Sequence, residues 1–371
     1  MKKKVALHNL GCKVNAYEVE AMQQLLENAG YETVPFEEGA DVYVINTCTV
    51  TNIADRKSRQ MLHKAKKMNP DAIVVATGCY AQADTEKLKE DTAVDLILGN
   101  NQKTQIVEAL EEYEKEHAKQ VQVIEINHTK EYEELSISST AEHVRAYIKV
   151  QDGCNQFCTY CIIPFARGRV RSRKIEEVLS EVETLAAKGY KEVVLTGIHL
   201  SSYGVDFPKE ERESLLSLIQ AVSRVEGISR IRLGSLEPRI ITEEFLEGIV
   251  KTGKVCPHFH LSLQSGCNKT LKNMNRRYSA QEYAEKCELI RKFYPAPALT
   301  TDVIVGFPQE TEEDFEESYE FVKKIHFYET HIFKYSRRHG TKAASMDGQL
   351  TEAAKAQRSD RMLEPVSYTH L

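Results

Sequence analysis

Short apolar runs alternate with amphipathic segments along the first third of the chain. The runs VALHNL, DVYVINTC and AIVVATGC are typical of buried strands, whereas AYEVEAMQQLLENAG and IADRKSRQMLHKAKK carry apolar residues at helical spacing. Strands that alternate with helices of this length predict an open parallel sheet joined by right-handed crossovers. We therefore expect an N-terminal α/β domain over residues 1–125.

A second alternation of strands and helices begins at Arg145. Its strand-like runs are RAYIKV, EVVLTG, RIRLGS, HFHLSL, LTTDVIVGF and ETHIFKYS. About six strand–helix units fit this pattern, whereas a complete barrel of this kind has about eight. The pattern predicts a partial (β/α)6 barrel over residues 144–345, preceded by a polar linker at residues 126–143. In such barrels the loops at the carboxyl ends of the strands carry the chemistry.

The composition is that of an ordinary globular protein with more than one domain. The 371 residues are 42% hydrophobic and 28% charged, with a formal net charge of -6, so any contact with nucleic acid requires a local basic patch. The chain starts without a secretory signal and has no apolar stretch of membrane-spanning length. We expect a cytoplasmic protein with no membrane partner. Its nine cysteines then point to metal or redox chemistry rather than disulfides.

Three cysteines form a CxxxCxxC motif at Cys154, Cys158 and Cys161. A zinc site would normally add a fourth ligand and favour paired CxxC knuckles, and no nearby histidine or cysteine offers one. Three thiolates on a [4Fe-4S] cubane would leave one iron open for reaction. The spacing favours a cluster over zinc or over ordinary buried cysteines.

Three further cysteines are spread through the first domain. Cys12, Cys48 and Cys79 each come just after the carboxyl end of a predicted strand. Because those ends form the ligand crevice of an open parallel sheet, the three should converge in space. Their spacing alone leaves two readings open, a second metal site and small buried residues.

The CxxxCxxC motif, with the aromatic Tyr160 before its last cysteine, resembles that of the radical S-adenosylmethionine superfamily. The stretches LGCKVNAYE, INTCTVTN and ATGCYAQ are similar to three motifs of its methylthiotransferase branch, and the resemblance extends to about Glu364. It implies a radical S-adenosylmethionine barrel with S-adenosyl-L-methionine at the open iron of one [4Fe-4S] cluster, where it is cleaved to a 5'-deoxyadenosyl radical. It also implies a second, sulfur-donating [4Fe-4S] cluster on Cys12, Cys48 and Cys79.

The choice of substrate rests on few positions: Lys13, Val14, Thr49, Val50 and Thr51. They resemble the branch that methylthiolates C2 of N6-threonylcarbamoyladenosine beside the tRNA anticodon, at position 37. The alternatives are the branches acting on isopentenyladenosine in tRNA or on a ribosomal-protein aspartate. An alternative of another class is a non-catalytic iron-sulfur electron carrier or RNA-binding module.

A basic strip follows the cysteine motif and comprises Arg167, Arg169, Arg171, Arg173 and Lys174. A charge run is usually a solvated surface, but its place beside the cluster loop leads us to expect contacts with the phosphates of a tRNA anticodon stem-loop. The resemblance further implies an external electron donor such as flavodoxin or ferredoxin, and a sulfur source. We expect a monomer.

Several residues at predicted strand ends match family motifs near the cofactor or substrate. Each is also an ordinary turn or helix-cap residue type, so both readings stay open. The expected cofactor-binding set is Tyr160, Gly197, Ser235, Glu237, Gln264 and Asp302. We expect structural roles for His199 and His260 and ordinary thiols at Cys256, Cys267 and Cys287.

The end of the sequence departs from the family pattern. Family members normally continue into a small β-barrel RNA-binding domain called TRAM. We expect residues 346–364 to begin the connection to that domain, and residues 365–371, PVSYTHL, to be a foreign tail that resembles translated transposase adapter sequence.

Overall fold

Two compact units make up the protein in the computed structural model, which describes residues 2–140 and 145–367. The first unit takes the described residues up to Asn155 together with Ile162–Tyr190. The second takes Gln156–Cys161 together with the described residues from Lys191 onward. The chain therefore leaves the first unit within the CxxxCxxC loop and returns to it directly after Cys161.

The first unit alternates strands and helices. Its strands are β1 (Lys4–Asn9), β2 (Glu32–Thr33), β3 (Val42–Thr47), β4 (Ile73–Gly78), β5 (Leu96–Leu98), β6 (Gln120–Gln122), β7 (Ala146–Asp152) and β8 (Arg171–Ser172). Its α-helices are α1 (Lys13–Asn28), α2 (Asn52–Met68), α3 (Cys79–Ala83), α4 (Thr85–Glu90), α5 (Ile106–Glu116), α6 (Ile163–Ala166) and α7 (Ile175–Ala187).

The predicted parallel sheet is confirmed. Six strands pair in parallel in the order β2-β1-β3-β4-β5-β6. Helices cover both faces, so central strand β3 is buried along its whole length: Tyr43 and Ile45 pack in one core cluster, and Val42 and Val44 pack in the other. β7 pairs with β8 in antiparallel orientation.

The second unit repeats the alternation. Its strands are β9 (Glu192–Gly197), β10 (Arg230–Leu233), β11 (His258–His260), β12 (Ala298–Val305) and β13 (Glu329–Lys334). Its α-helices are α8 (Leu215–Ser223), α9 (Glu243–Lys251), α10 (Asn268–Asn273), α11 (Ala280–Phe293), α12 (Glu312–Ile325) and α13 (Glu352–Ser367).

Parallel pairing again matches the prediction for these strands. β9 pairs with β10, and β12 lies between β11 and β13. Four of the helices begin where the hydroxyl of a Ser or Thr N-cap accepts a backbone N–H, which is why each chain segment turns from loop to helix there: Ser214, Thr242, Ser279 and Thr311.

Some predictions fall outside the described residues. They concern residues 141–144, where the linker was expected to meet the barrel, and residues 368–371 of the expected foreign tail. In the described ranges, no helix combines the length and apolarity needed to cross a membrane.

The core of the first unit can be tested at Ile45, which is fully buried on β3. I45A should lower the free energy of unfolding by about 2–5 kcal/mol, because it removes buried methyl groups and leaves a cavity. I53A is the matched control, since Ile53 is 54% exposed and its truncation should change stability by only about 0.5 kcal/mol. Urea unfolding measures both, and equal effects would contradict the assigned core.

Candidate functional site

The three cysteines of the first domain lie at one edge of the parallel sheet. Cys12 is the N-cap of α1, Cys48 directly follows β3, and Cys79 is the first residue of α3, directly after β4. Because β1, β3 and β4 are adjacent and parallel, these residues lie at the same edge of the sheet. Burial, reinforced by the charge of Cys79, raises the pKa of Cys48 to about 12, so metal ligation there would release a proton.

Arg167 lies against the sulfur of Cys79. Its Nε donates a hydrogen bond to Cys79 Sγ at 3.1 Å, and its Nη2 donates to Asn15 Oδ1 at 2.8 Å. The Cys12 thiol donates to the same Asn15 oxygen at 3.7 Å. Asn100 Nδ2 approaches Cys79 Sγ at 3.8 Å. The cysteine edge is therefore lined by hydrogen-bonding side chains rather than by apolar ones.

Buried ion pairs surround this guanidinium group. Arg167 Nη1 lies 2.8 Å from Glu18 Oε1 and 3.1 Å from Asp152 Oδ2. Lys149 Nζ bridges the same two carboxylates, at 3.0 Å and 2.9 Å. The Arg167 and Lys149 charges help to hold the pKa of Asp152 well below its usual range, although burial opposes them. All four groups are therefore charged at neutral pH.

The predicted basic strip is corrected by this geometry. Arg167, Arg171 and Arg173 are buried, and their guanidinium groups bond inside the first unit rather than facing a solvent-accessible surface. Arg171 Nη1 donates to the carbonyl oxygens of Arg167 and Arg169, and Arg173 pairs with Glu181. Charge runs are usually solvated, but here Arg167 pairs with Glu18, far away in sequence, and the other two arginines bond to nearby backbone carbonyls and to Glu181. Arg169 is half-buried and Lys174 is exposed.

Backbone hydrogen bonds hold the CxxxCxxC loop in place. In the second unit, the Cys161 N–H donates to the Cys158 carbonyl at 2.9 Å, and Thr159 exchanges backbone hydrogen bonds with Met274 and Ala343. Arg276 Nη1 donates to Cys158 Sγ at 3.3 Å. In the first unit, the Cys154 N–H donates to the Gly168 carbonyl at 3.0 Å. In the second unit, the Cys158 sulfur beside the Arg276 cation suits a ligand of a thiolate-ligated cluster.

Two glycines with positive φ place cysteines at these sites. Gly78 (φ +90°) precedes Cys79, and a Cβ there would lie 2.3 Å from Asn46 Oδ1. Gly153 (φ +69°) precedes Cys154, and a Cβ there would lie 1.8 Å from the Arg169 carbonyl oxygen. Both turns therefore exclude any side chain.

The expected cofactor-binding residues all lie in the second unit. Gly197 ends β9, Ser235 and Glu237 follow β10, Gln264 follows β11, Asp302 lies on β12, and the Tyr160 ring packs edge-on against Phe307.

Their environments differ. Ser235 is exposed, whereas Glu237 is buried and pairs with Arg239 at 2.7 Å. Gln264 is buried with φ +71°, an uncommon backbone conformation for a residue other than glycine.

Asp302 belongs to a small polar cluster on three neighbouring strands. Its Oδ2 lies 3.2 Å from His260 Nε2, and one ligand-type atom from each of His260, Asp302 and His331 lies within 4.8 Å of the others. His260 Nδ1 also meets the Thr300 hydroxyl at 3.0 Å. This set of groups could bind a cation or orient a polar substrate group.

The remaining residues considered from sequence have internal contacts. His199 Nδ1 lies 2.7 Å from Ser202 Oγ. Cys256, Cys267 and Cys287 are buried. The contacts of Asn15, Glu18 and Arg276 with the cysteine sites were not predicted from the sequence. Helical spacing after Cys12 signals Asn15 and Glu18, whereas no local pattern marks Arg276.

Comparison with known proteins identifies the family. Residues 4–99 match the profile described as "Uncharacterized protein family UPF0004", and residues 148–322 match the "Radical SAM superfamily". The chain is 45% identical over 359 residues to the threonylcarbamoyladenosine tRNA methylthiotransferase MtaB of Bacillus subtilis, covering 97% of this chain and 79% of the relative. The chain belongs to the radical S-adenosylmethionine methylthiotransferase family.

Other relatives of this methylthiotransferase carry two kinds of name. MtaB of Aquifex aeolicus is 47% identical, with 96% of this chain and 86% of the relative covered. The tRNA-2-methylthio-N(6)-dimethylallyladenosine synthase of Moorella thermoacetica is 38% identical, with 95% and 80% covered.

A solved structure has the same fold as this methylthiotransferase. The radical S-adenosylmethionine methyltransferase TsrM from Kitasatospora setae superimposes with a TM-score of 0.63 at 16% identity, over 92% of this chain and 74% of that one. At this identity the likeness concerns the fold alone. Membership of the radical S-adenosylmethionine family implies S-adenosylmethionine and a [4Fe-4S] cluster as cofactors.

Gly78 allows a test of the N-terminal cysteine edge in this methylthiotransferase. G78A should displace Cys79, because the added Cβ overlaps Asn46 and the backbone of Thr47, and iron bound per chain should fall. G39A is the matched control: Gly39 has φ +100° with nothing within 4 Å, so it adds only about 1–2 kcal/mol of left-handed strain. Iron analysis after anaerobic loading measures the iron bound per chain. Equal iron in G78A and wild type would contradict the placement of Cys79 at an iron site.

His199 allows a test of pH dependence. Burial, aided by Arg276 and Arg239, lowers the pKa of His199 from 6.5 to about 4. As pH falls from 6.5 towards 4 the unfolded chain gains this proton before the folded chain does, so the folded state loses up to roughly 3 kcal/mol. H199N keeps a polar partner for Ser202 and should reduce that loss. Urea unfolding at pH 7 and pH 5 measures it, and identical losses in both proteins would refute the assignment.

Proposed function

We propose that this enzyme methylthiolates C2 of N6-threonylcarbamoyladenosine at position 37 of tRNA, beside the anticodon. The observation that carries the proposal is the difference in identity between relatives. Four relatives named for threonylcarbamoyladenosine share 37–47% of aligned residues, with 45% in Bacillus and 47% in Aquifex, whereas four named for dimethylallyladenosine share 36–38%.

Two cysteine sets support a two-cluster enzyme. In this proposal Cys154, Cys158 and Cys161 hold the cluster that binds S-adenosylmethionine, within a barrel domain over residues 144–345. A second [4Fe-4S] cluster on Cys12, Cys48 and Cys79, within residues 1–125, provides sulfur. The support for the second site is its geometry, with three thiols at adjacent strand ends and an arginine on Cys79.

The bound cofactors supply one-electron chemistry that activates a carbon–hydrogen bond without an acidic proton, which side chains alone cannot do. The chain's own residues orient and shield the bound cofactors. Arg276 places a positive charge on Cys158 and also stacks on Tyr278 at 4.9 Å. His199 is neutral at pH 7 because of its lowered pKa, so it adds no charge to these strand ends.

Residues at the strand ends of the second unit are assigned to cofactor and substrate binding. Gly197 lies at the end of β9, and hydrogen-bonding groups are offered by Ser235, Glu237, Gln264 and Asp302. Tyr160, with its edge-on packing against Phe307, stiffens the cysteine loop.

The proposed reaction requires three partners. The tRNA anticodon stem-loop is the substrate, and its phosphates have Arg169 and Lys174 as remaining basic contacts from the original strip. An external electron donor, such as flavodoxin or ferredoxin, and a sulfur source complete the reaction. Because the proposed substrate is a tRNA, we expect a cytoplasmic enzyme, and the expectation of a monomer stays a prediction.

The experiment loads the chain anaerobically with iron and sulfide, then adds S-adenosylmethionine, dithionite and tRNA carrying either threonylcarbamoyladenosine or isopentenyladenosine. Mass spectrometry of digested tRNA should show the 2-methylthio derivative of threonylcarbamoyladenosine. C158A should abolish both 5'-deoxyadenosine and product. C79A should abolish product while 5'-deoxyadenosine formation continues.

Each contrary result identifies a different rival. A methylthio group on isopentenyladenosine alone would assign the enzyme to that branch. Formation of 5'-deoxyadenosine with neither tRNA modified would favour a protein substrate such as a ribosomal-protein aspartate. Reduced clusters without any 5'-deoxyadenosine would favour an electron carrier or RNA-binding module.

A further inference from the structure

One guanidinium group connects two of the three N-terminal cysteines. Arg167 Nε donates directly to Cys79 Sγ at 3.1 Å, and Nη2 reaches Cys12 through Asn15 Oδ1, which accepts from both side chains. Arg167 has no exposed surface, so water does not compete for these bonds. Its position is fixed by Glu18 and Asp152 on the opposite side of the group.

The interior around Arg167 carries an excess of positive charge. Four cationic side chains form ion pairs there with two carboxylates: Arg167, Lys149, Lys103 and Arg171 with Glu18 and Asp152. Glu133 adds one more negative charge that acts on Lys149. Unbalanced buried charge is costly, so an anionic cluster bound beside Arg167 would offset it.

This arrangement acts on any cluster that Cys79 ligates. Reduction adds negative charge to a thiolate-ligated cluster, and both a nearby positive charge and an N–H···S hydrogen bond stabilise the reduced form. The hydrogen bond also fixes the direction in which the Cys79 sulfur points. Electrostatics and orientation therefore come from the same side chain.

We propose that Arg167 is a positioning residue for the N-terminal cluster. The Arg167 side chain holds Cys79 in its ligating orientation and raises the reduction potential of that cluster. This inference rests on the proposed second cluster. Arg167 would thus control sulfur chemistry in the interior rather than bind phosphate at the surface.

The test is an EPR-monitored redox titration of the chain loaded with both clusters. The signal of the N-terminal cluster is identified as the one that disappears in C79A and does not change when S-adenosylmethionine is added. R167Q should move the midpoint potential of this signal to more negative values and weaken cluster retention against a chelator about tenfold or more. R167K keeps the charge but loses the Nε contact, so its shift should be smaller.

Two control variants make the result specific. R173Q removes another buried arginine of the same unit, which pairs with Glu181 and contacts Tyr17 rather than a cysteine sulfur, so the N-terminal potential should not change. R276Q should instead shift the signal that responds to S-adenosylmethionine, because Arg276 donates to Cys158.

Each outcome has a separate meaning. An unchanged N-terminal potential in a folded, loaded R167Q would overturn the role of Arg167, as would an equal shift in R173Q. If R167Q fails to fold, the midpoint potential of the N-terminal signal is measured in R167K instead. A wild-type potential in R167K contradicts the proposal. A wild-type chain that binds only one cluster, about four irons, would instead defeat the proposed second cluster.

Discussion

Burial of the Arg167 guanidinium is the constraint on which the arrangement of the first unit depends. One side chain contacts a carboxylate on α1, a carboxylate at the end of β7 and the sulfur that begins α3. A buried charge of this kind is stable only if all its partners are in place. The segment that follows the CxxxCxxC motif is therefore tied to the edge of the parallel sheet where Cys12, Cys48 and Cys79 meet.

The two cysteine sets share one feature. In each, one sulfur accepts a hydrogen bond from an arginine: Cys79 from Arg167, and Cys158 from Arg276. Glycines without room for a Cβ precede Cys79 and Cys154 and give the backbone the turn that each loop requires. The glycines therefore set the backbone turns, whereas the arginines act on the sulfur atoms themselves.

The fold and the cysteine edge followed from the sequence because both depend on local patterns. The first four residues of β3 are apolar because both faces are covered, and each cysteine comes just after a strand-like run. The location of the arginines did not follow, because Glu18 lies far from Arg167 in sequence and no local pattern shows that they pair. The exposed strip predicted from the run of basic residues was wrong for Arg167, Arg171 and Arg173 for this reason.

Residues that distinguish the substrate branches have structural contacts as well. Thr49 Oγ1 lies 2.7 Å from Asp55 Oδ1, and Thr51 caps α2 by accepting from the Ala54 N–H. Their identities therefore reflect the loop around Cys48 as much as any substrate. The proposed specificity accordingly depends on similarity along the whole chain rather than on these few positions.

The central claim is that one chain holds two clusters on two separate cysteine sets. Mössbauer spectroscopy and iron analysis of chain loaded with 57Fe, compared with a variant in which Cys12, Cys48 and Cys79 are all alanine, test it most directly. The account predicts about eight irons in two [4Fe-4S] clusters for the wild type and about four in one cluster for the variant. Equal iron and identical spectra for the two proteins would contradict it.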